Sequence, residues 1–150
     1  MEVTKTYEIA PQEVFDLLFD SFCEDYRANT GELLEATAIR EGLTYLKSFG
    51  KNNAQQVKVV VQAMTAPTLY DVAIHSNRGV TRIIYRLQTI DDTHTEITYS
   101  EAAEQAGFLT GWNYKLLAPF MRKAIEKRMA TQLDSIVNYA KQRRANHPKD

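Results

Sequence analysis

From Ala118 onward, apolar residues return at three- and four-residue steps: Met121, Ile125, Met129, Leu133, Ile136 and Ala140. Side chains at those intervals share one face of an α-helix. Lys123, Glu126, Lys127, Asp134, Asn138 and Lys141 fall on the opposite side. The spacing predicts a helix of ~25 residues running to about Arg144, ~37 Å long and able to cross a small domain. Pro119 disfavours helical geometry at Ala118, so a kink or a fresh helix start is expected there.

Upstream the period changes. Val3, Lys5, Tyr7 and Ile9 alternate with Glu2, Thr4, Thr6 and Glu8, the pattern of a half-buried strand. Pro11 suits a first helical position, Glu13 suits a first turn, and Val14, Phe15, Leu18, Phe19 and Phe22 make an apolar face. A helix from 11 to about 28 follows, with Thr30-Gly31 as its stop. Leu33 to Glu41 is read as a short second helix. From Gly42 the chain alternates in strand fashion, with Leu43, Tyr45 and Phe49 against Thr44, Leu46 and Ser48. Further strands are expected over Val57–Met64, Leu69–Ser76, Val80–Ile90 and from Thr95 past Tyr99. Turns at Gly50–Asn53, Pro67, Asn77–Gly79 and Asp91-Asp92 separate them. Residues 102–111, with Gly107 and Gly111, connect to the final helix.

Strands that are grouped, and do not alternate with helices, point to an antiparallel α+β domain in β-α-α-β(5-6)-α order. Its apolar face must be covered, and the C-terminal helix has the length to do it. The 150 residues make one domain with a flexible tail from about 145. A hydrophobic content of 44% with 25% charged residues is ordinary for a globular protein. The net charge of −1 provides no basic field for nucleic acid. No run reaches the ~20 apolar residues of a membrane span, and no leader pattern is present, so a cytoplasmic protein is expected. Cys23, the sole cysteine, sits in an apolar helical pattern and reads as a buried thiol.

This order of elements resembles the START-like, or SRPBCC, superfamily, whose helix-grip fold wraps a curved sheet around a C-terminal helix. Val3 to Phe15 is similar to that superfamily's first strand running through a proline into the first helix. Gly42-Leu43-Thr44-Tyr45-Leu46-Lys47 and Tyr99-Ser100-Glu101 resemble an uncharacterised bacterial subfamily of the group found in Firmicutes. The resemblance implies a cavity between helix and sheet that holds a hydrophobic or amphipathic small molecule. It implies no catalytic residues.

Tyr7, Tyr45, Tyr70, Tyr85 and Tyr99 lie on the apolar phase of five strands, so all five are expected to face the helix. A buried hydroxyl left unpaired costs ~1–3 kcal/mol, so five on one face suit a wet cavity or polar ligand groups. Core aromatics bonding at the rim or to each other are the plain alternative. Glu101 shares the phase of Tyr99 at the strand end, where it would reach a ligand, a tyrosine or solvent. Phe108, Leu109, Trp112, Leu116, Leu117 and Phe120 leave the stripe and cover more than one face. They would form a lid, a homodimer contact, or core beneath the first helix. Arg82 and Arg86 read as solvated surface. The scattered His75, His94 and His147, with a single cysteine, give no metal-ligand spacing and no cofactor fingerprint.

Two functions follow. One is a non-catalytic carrier or sensor of a small amphipathic molecule, held by Tyr45, Tyr70, Tyr85, Tyr99, Glu101, Trp112, Met121 and Ile125. The other is a cyclase- or dehydratase-type enzyme in which a tyrosine or Glu101 serves as acid or base. A packed scaffold without a ligand is a third, duller reading.

Overall fold

The computed structural model describes residues 1–35, 38–104 and 119–146. The chain runs through β1 (Glu2–Tyr7), α1 (Pro11–Thr30), β2 (Thr44–Phe49), β3 (Gln55–Thr65), β4 (Leu69–Ser76), β5 (Gly79–Thr89), β6 (Thr95–Glu104) and α2 (Pro119–Asn146). The strands form one antiparallel sheet in the order β1-β6-β5-β4-β3-β2, so β1 and β2 are its edges. β2 to β6 are a plain meander, and only β1 crosses over to pair with β6. This is the expected α+β helix-grip architecture.

Local chemistry sets the ends of α1. Pro11 opens it after an extended Ala10, and Gly31 closes it at φ 76° while its N–H donates to the Arg27 carbonyl at 2.9 Å. A Cβ at Gly31 would meet nothing within 4 Å, so its backbone angle alone calls for glycine. The expected second helix over 33–41 is not among the described elements, and residues 36–37 lie outside the description. Around them Ala38 N–H bonds the Glu35 carbonyl at 2.9 Å, a single tight turn, and Leu34 and Ile39 pack against the core while Leu33 is exposed.

β3 carries a bulge between Val61 and Ala63. The extra residue reverses the alternation, so Val61 and Met64 both join the core-facing side while Ala63 lies opposite Asp71. That is why the sequence of β3 reads as a continuous apolar run. On the open edge, Asn29 Oδ1 accepts from the Ser48 N–H at 3.0 Å, and Lys47 reaches Asp25 at 2.9 Å.

Two apolar clusters fill the concave side. In the first, Ile9, Val14, Leu17 and Leu18 meet Tyr85, Leu87, Ile97 and Tyr99 from the sheet and Met129, Leu133, Val137 and Ala140 from α2. In the second, Phe22 from α1 packs on Tyr45, Val59, Val61 and Val72. Burying each large side chain here contributes about 1.5–3 kcal/mol. Tyr70 borders both clusters. The buried line on α2 thus uses Val137, with Ile136 only half-buried.

Asp134 is not on the solvent side of α2 as its spacing suggests. It accepts from Lys5 Nζ at 2.7 Å and from the Tyr7 hydroxyl at 2.6 Å, pinning the helix to β1. Nor is Arg82 simply solvated, because its guanidinium donates to Asp71, which is buried on the convex face. Asp71 Oδ1 and Arg82 Nε are buried without a hydrogen-bond partner.

Candidate functional site

Strand register, not sequence proximity, assembles the tyrosines. Met64, Tyr70, Tyr85, Tyr99 and Val3 lie directly opposite one another across β3, β4, β5, β6 and β1. The Tyr85 and Tyr99 rings stack at 4.6 Å with 2° between their planes, and Tyr70 meets Tyr85 edge-on at 5.9 Å. Such aromatic pairs contribute about 0.5–1.5 kcal/mol beyond their buried area. Tyr45 stands apart, packed edge-on against Phe22 and Tyr26 of α1, with its hydroxyl donating to Asp25. Tyr7 is committed to Asp134. Three of the five expected tyrosines therefore form one contiguous row.

Residues two apart on a strand share a face, and the Tyr99 hydroxyl accordingly donates to Glu101 Oε1. The other carboxylate oxygen of Glu101 accepts from Arg128 Nη2 at 2.9 Å. Burial works to raise the Glu101 pKa, but the hydrogen bonds from Arg128 and Tyr99 outweigh it and hold the carboxyl below its usual range. Burial pushes the Tyr85 hydroxyl up to about 12, even though Tyr99 and Gln132 beside it act to lower it. Burial likewise raises Tyr70, helped by nearby Tyr85 and Asp25, and raises Tyr99, helped by its bond to Glu101. At neutral pH the row is a set of neutral hydroxyl donors ending in an ionised carboxylate.

The helix above this row is not uniformly seated. Met129 and Leu133 are 0% exposed, Ile125 is half-buried, Met121 is 42% exposed and Phe120 74%. Met121, expected among the ligand-holding residues, is thus partly exposed: the C-terminal half of α2 is pressed onto the sheet, and burial falls off toward the helix's first turns. Ile83 and Thr81 of β5 and Ile74 of β4, on the sheet face that carries the row, are only half-buried. Half-buried Tyr70, Ile83 and Ile125 border the core cluster where the sheet meets the first half of α2, a wedge-shaped margin with Tyr85 sealed behind it at 3% exposure and Glu101 with Arg128 at its rim. Trp112, expected at the site, lies outside the described residues, as do Phe108, Leu109, Leu116 and Leu117.

Arg128 and Gln132 carry no signal in the sequence beyond their position. Both flank the apolar stripe where a long side chain can bend back toward the sheet. Cys23 is half-buried, and burial first, then Asp20, raises its thiol pKa. Two hollows lie elsewhere: about 600 Å³ between α1 and the end of α2, and about 300 Å³ between α1 and the β3–β4 turn. Neither is lined by the tyrosine row. Among the described residues no three of His, Cys, Asp and Glu are grouped to hold a metal ion, and no helix is long and apolar enough to cross a membrane.

The fold recurs in solved structures. Ara h 8.0201 matches with a TM-score of 0.60 at 15% identity, covering 95% of this chain and 97% of its own. The Zhui aromatase/cyclase from Streptomyces sp. R1128 matches at 0.55 and 16% identity, with 97% and 94% covered. A conserved protein from Geobacillus kaustophilus matches at 0.53 and 14%, with 95% of each chain covered. At these identities the likeness concerns the fold. No curated protein sequence matches. The sequence of residues 1–122 does match one family model, and by that match the chain belongs to the family described as domain of unknown function DUF3284.

Proposed function

We propose that this protein is a non-catalytic binding protein for a small hydrophobic or amphipathic molecule, held in the wedge between the sheet and the first half of α2. The observation that carries the reading is the burial gradient along α2, from fully buried Met129 to exposed Met121. A helix closing a complete core would be seated along its whole apolar stripe. Ile125, Ile83 and Tyr70 supply apolar contact, and the Tyr70 hydroxyl with Arg128 supplies a few donors, the usual make-up of a small-molecule site.

The titration behaviour supports binding over acid–base chemistry. A general acid or base works best with a pKa near the operating pH. Here Glu101 is held low by the hydrogen bonds of Arg128 and Tyr99, which engage both its oxygens and make it a poor proton donor and a weakened base. The likeness to an aromatase/cyclase lends the enzyme reading a fold and no residues.

Native mass spectrometry of protein purified from its own host tests the proposal. A co-purifying small molecule is expected, and Ile125→Trp, which fills the wedge, should abolish its retention. A ligand-free mass, together with no thermal stabilisation by a broad panel of apolar compounds, would refute the proposal and leave a packed scaffold.

A further inference from the structure

Resting on that reading of the wedge, we infer that its ligand is an anionic amphipath, a molecule with an apolar body and a carboxylate-like head placed at Arg128. Three independent features of the rim agree.

The first is the unspent donor capacity of Arg128. A guanidinium carries five N–H groups in a planar fork suited to gripping a carboxylate through two of them. Among the described residues Arg128 meets Glu101 through Nη2 alone, and its side chain is 56% exposed. Glu101 has spent both oxygens, one on Arg128 and one on the Tyr99 hydroxyl. The pair therefore presents more exposed donor than acceptor, Arg128 being 56% exposed and Glu101 24%. Glu101 acts as a positioning residue, fixing the near edge of the guanidinium so that the far edge faces the opening.

The second is the character of the floor. The Tyr70 hydroxyl donates to no described residue. Tyr85, whose hydroxyl lies beside Gln132, is neutral until about pH 12. A neutral hydroxyl beside an apolar wall welcomes an acceptor oxygen, whereas an ammonium head would find Glu101 already engaged by Arg128 and Tyr99.

The third is charge. From Pro119 to Ala130 the sequence carries Arg122, Lys123, Lys127 and Arg128 against Glu126 alone. The first half of α2 is thus cationic in a chain whose net charge is −1. A local positive field on the roof of an opening raises the concentration of anions at it.

The test uses matched pairs on two apolar frames: dodecanoate with 1-dodecanol, and 2-naphthoate with 2-naphthalenemethanol, with dodecylammonium as the opposite charge. Affinities are read by isothermal titration calorimetry, below micellar concentration. On at least one frame the acid should bind about tenfold or more tighter than its alcohol, as a charge-assisted hydrogen bond to guanidinium would produce. Arg128→Gln should close that gap. Glu101→Gln should widen it, because Arg128 loses its internal anion while the amide oxygen of the variant still accepts from Tyr99. A merely structural role for these residues would lower acid and alcohol together in both variants.

Equal binding of acid and alcohol, or tighter binding of the ammonium, overturns the anionic ligand and leaves the wedge intact as a neutral site. Binding of none of the five overturns both readings. Recruitment to vesicles containing phosphatidylglycerol, without uptake of either soluble acid, would assign the cationic half of α2 to a membrane surface and overturn the inference as well.

Discussion

Leu133→Ala should be among the most damaging single truncations in the molecule, and Met121→Ala one of the mildest, although both residues lie on one apolar stripe. Leu133 is 0% exposed and shares a cluster with Tyr85, Leu87, Ile97 and Val137, drawn from β5, β6 and α2 itself. Neighbours held by two strands and a helix cannot collapse into the space left behind, so the cost belongs in the upper part of the usual Leu→Ala range, about 3–4 kcal/mol. Met121 keeps much of its surface in water, and its truncation should stay within about 0.5 kcal/mol. Ile125, half-buried, should fall between them at about 1–2 kcal/mol. Urea unfolding followed by far-UV circular dichroism reads the series directly. At a slope of about 2 kcal/mol/M, the Leu133 variant should lose roughly 1.5–2 M in midpoint. For a domain of this size the same loss lowers the melting temperature by roughly 6–15 °C. If Met121→Ala costs as much as Leu133→Ala, the first turns of α2 are packed as closely as its end. The wedge on which the proposed function rests would then not exist.

Ultraviolet titration should show Tyr7, Tyr45, Tyr70, Tyr85 and Tyr99 still protonated at pH 11, since all are raised above their ordinary value of 10. A raised hydroxyl ionises first in the unfolded chain, so stability should fall as pH climbs from 10 toward 12, less steeply in Tyr85→Phe. In acid the sign reverses: Glu101 and Asp134 are held below 4.5 and 3.8, so their contribution is present above those values and fades as pH falls through the folded pKa. Asp134→Asn should cost about 1 kcal/mol, because it replaces a half-exposed ion pair and a charge-assisted hydrogen bond by neutral contacts, and should flatten the acid limb of a pH–stability curve. Arg82→Ala should cost roughly 2–3 kcal/mol by stranding buried Asp71, somewhat below the value for a fully buried pair because Arg82 is partly solvated. Asp71→Leu/Arg82→Met should recover most of that loss, and if it does not, the ion pair has a role beyond charge compensation.

Much of this architecture is written in local periodicity. The bounds Leu69–Ser76 of β4 follow from alternation. Parity also puts Tyr70, Tyr85 and Tyr99 on one face. That they form a contiguous row is a property of hairpin register, which the alternation of each strand constrains only to within two residues. Other features escape for identifiable reasons. Asp134 belongs by spacing to the solvent side of α2, but it sits beside Leu133 at the flank, where Lys5 and Tyr7 of an edge strand can reach it. Asp71 points outward by parity, which on this sheet does not mean solvated, because Arg82 covers it. Arg128 resembles any helix-surface arginine until Glu101 is brought beneath it across 27 residues of chain. The helix expected over 33–41 rests on Leu33-Leu34, of which Leu34 packs on the core and Leu33 is exposed, and residues 36–37 lie outside the described residues.

The open edge at β2 has a consequence for the behaviour of many copies in a crowded cell. An unpaired strand bearing exposed Leu46 and Phe49 would ordinarily invite a neighbouring chain to extend the sheet, the first step toward fibrous aggregation. Asn29 occupies the Ser48 N–H that such a neighbour would need, and Lys47, turned inward onto Asp25, would have to be entombed beneath any added strand. Losing Asn29 should therefore show itself less in the stability of a single molecule than in its solubility on long storage.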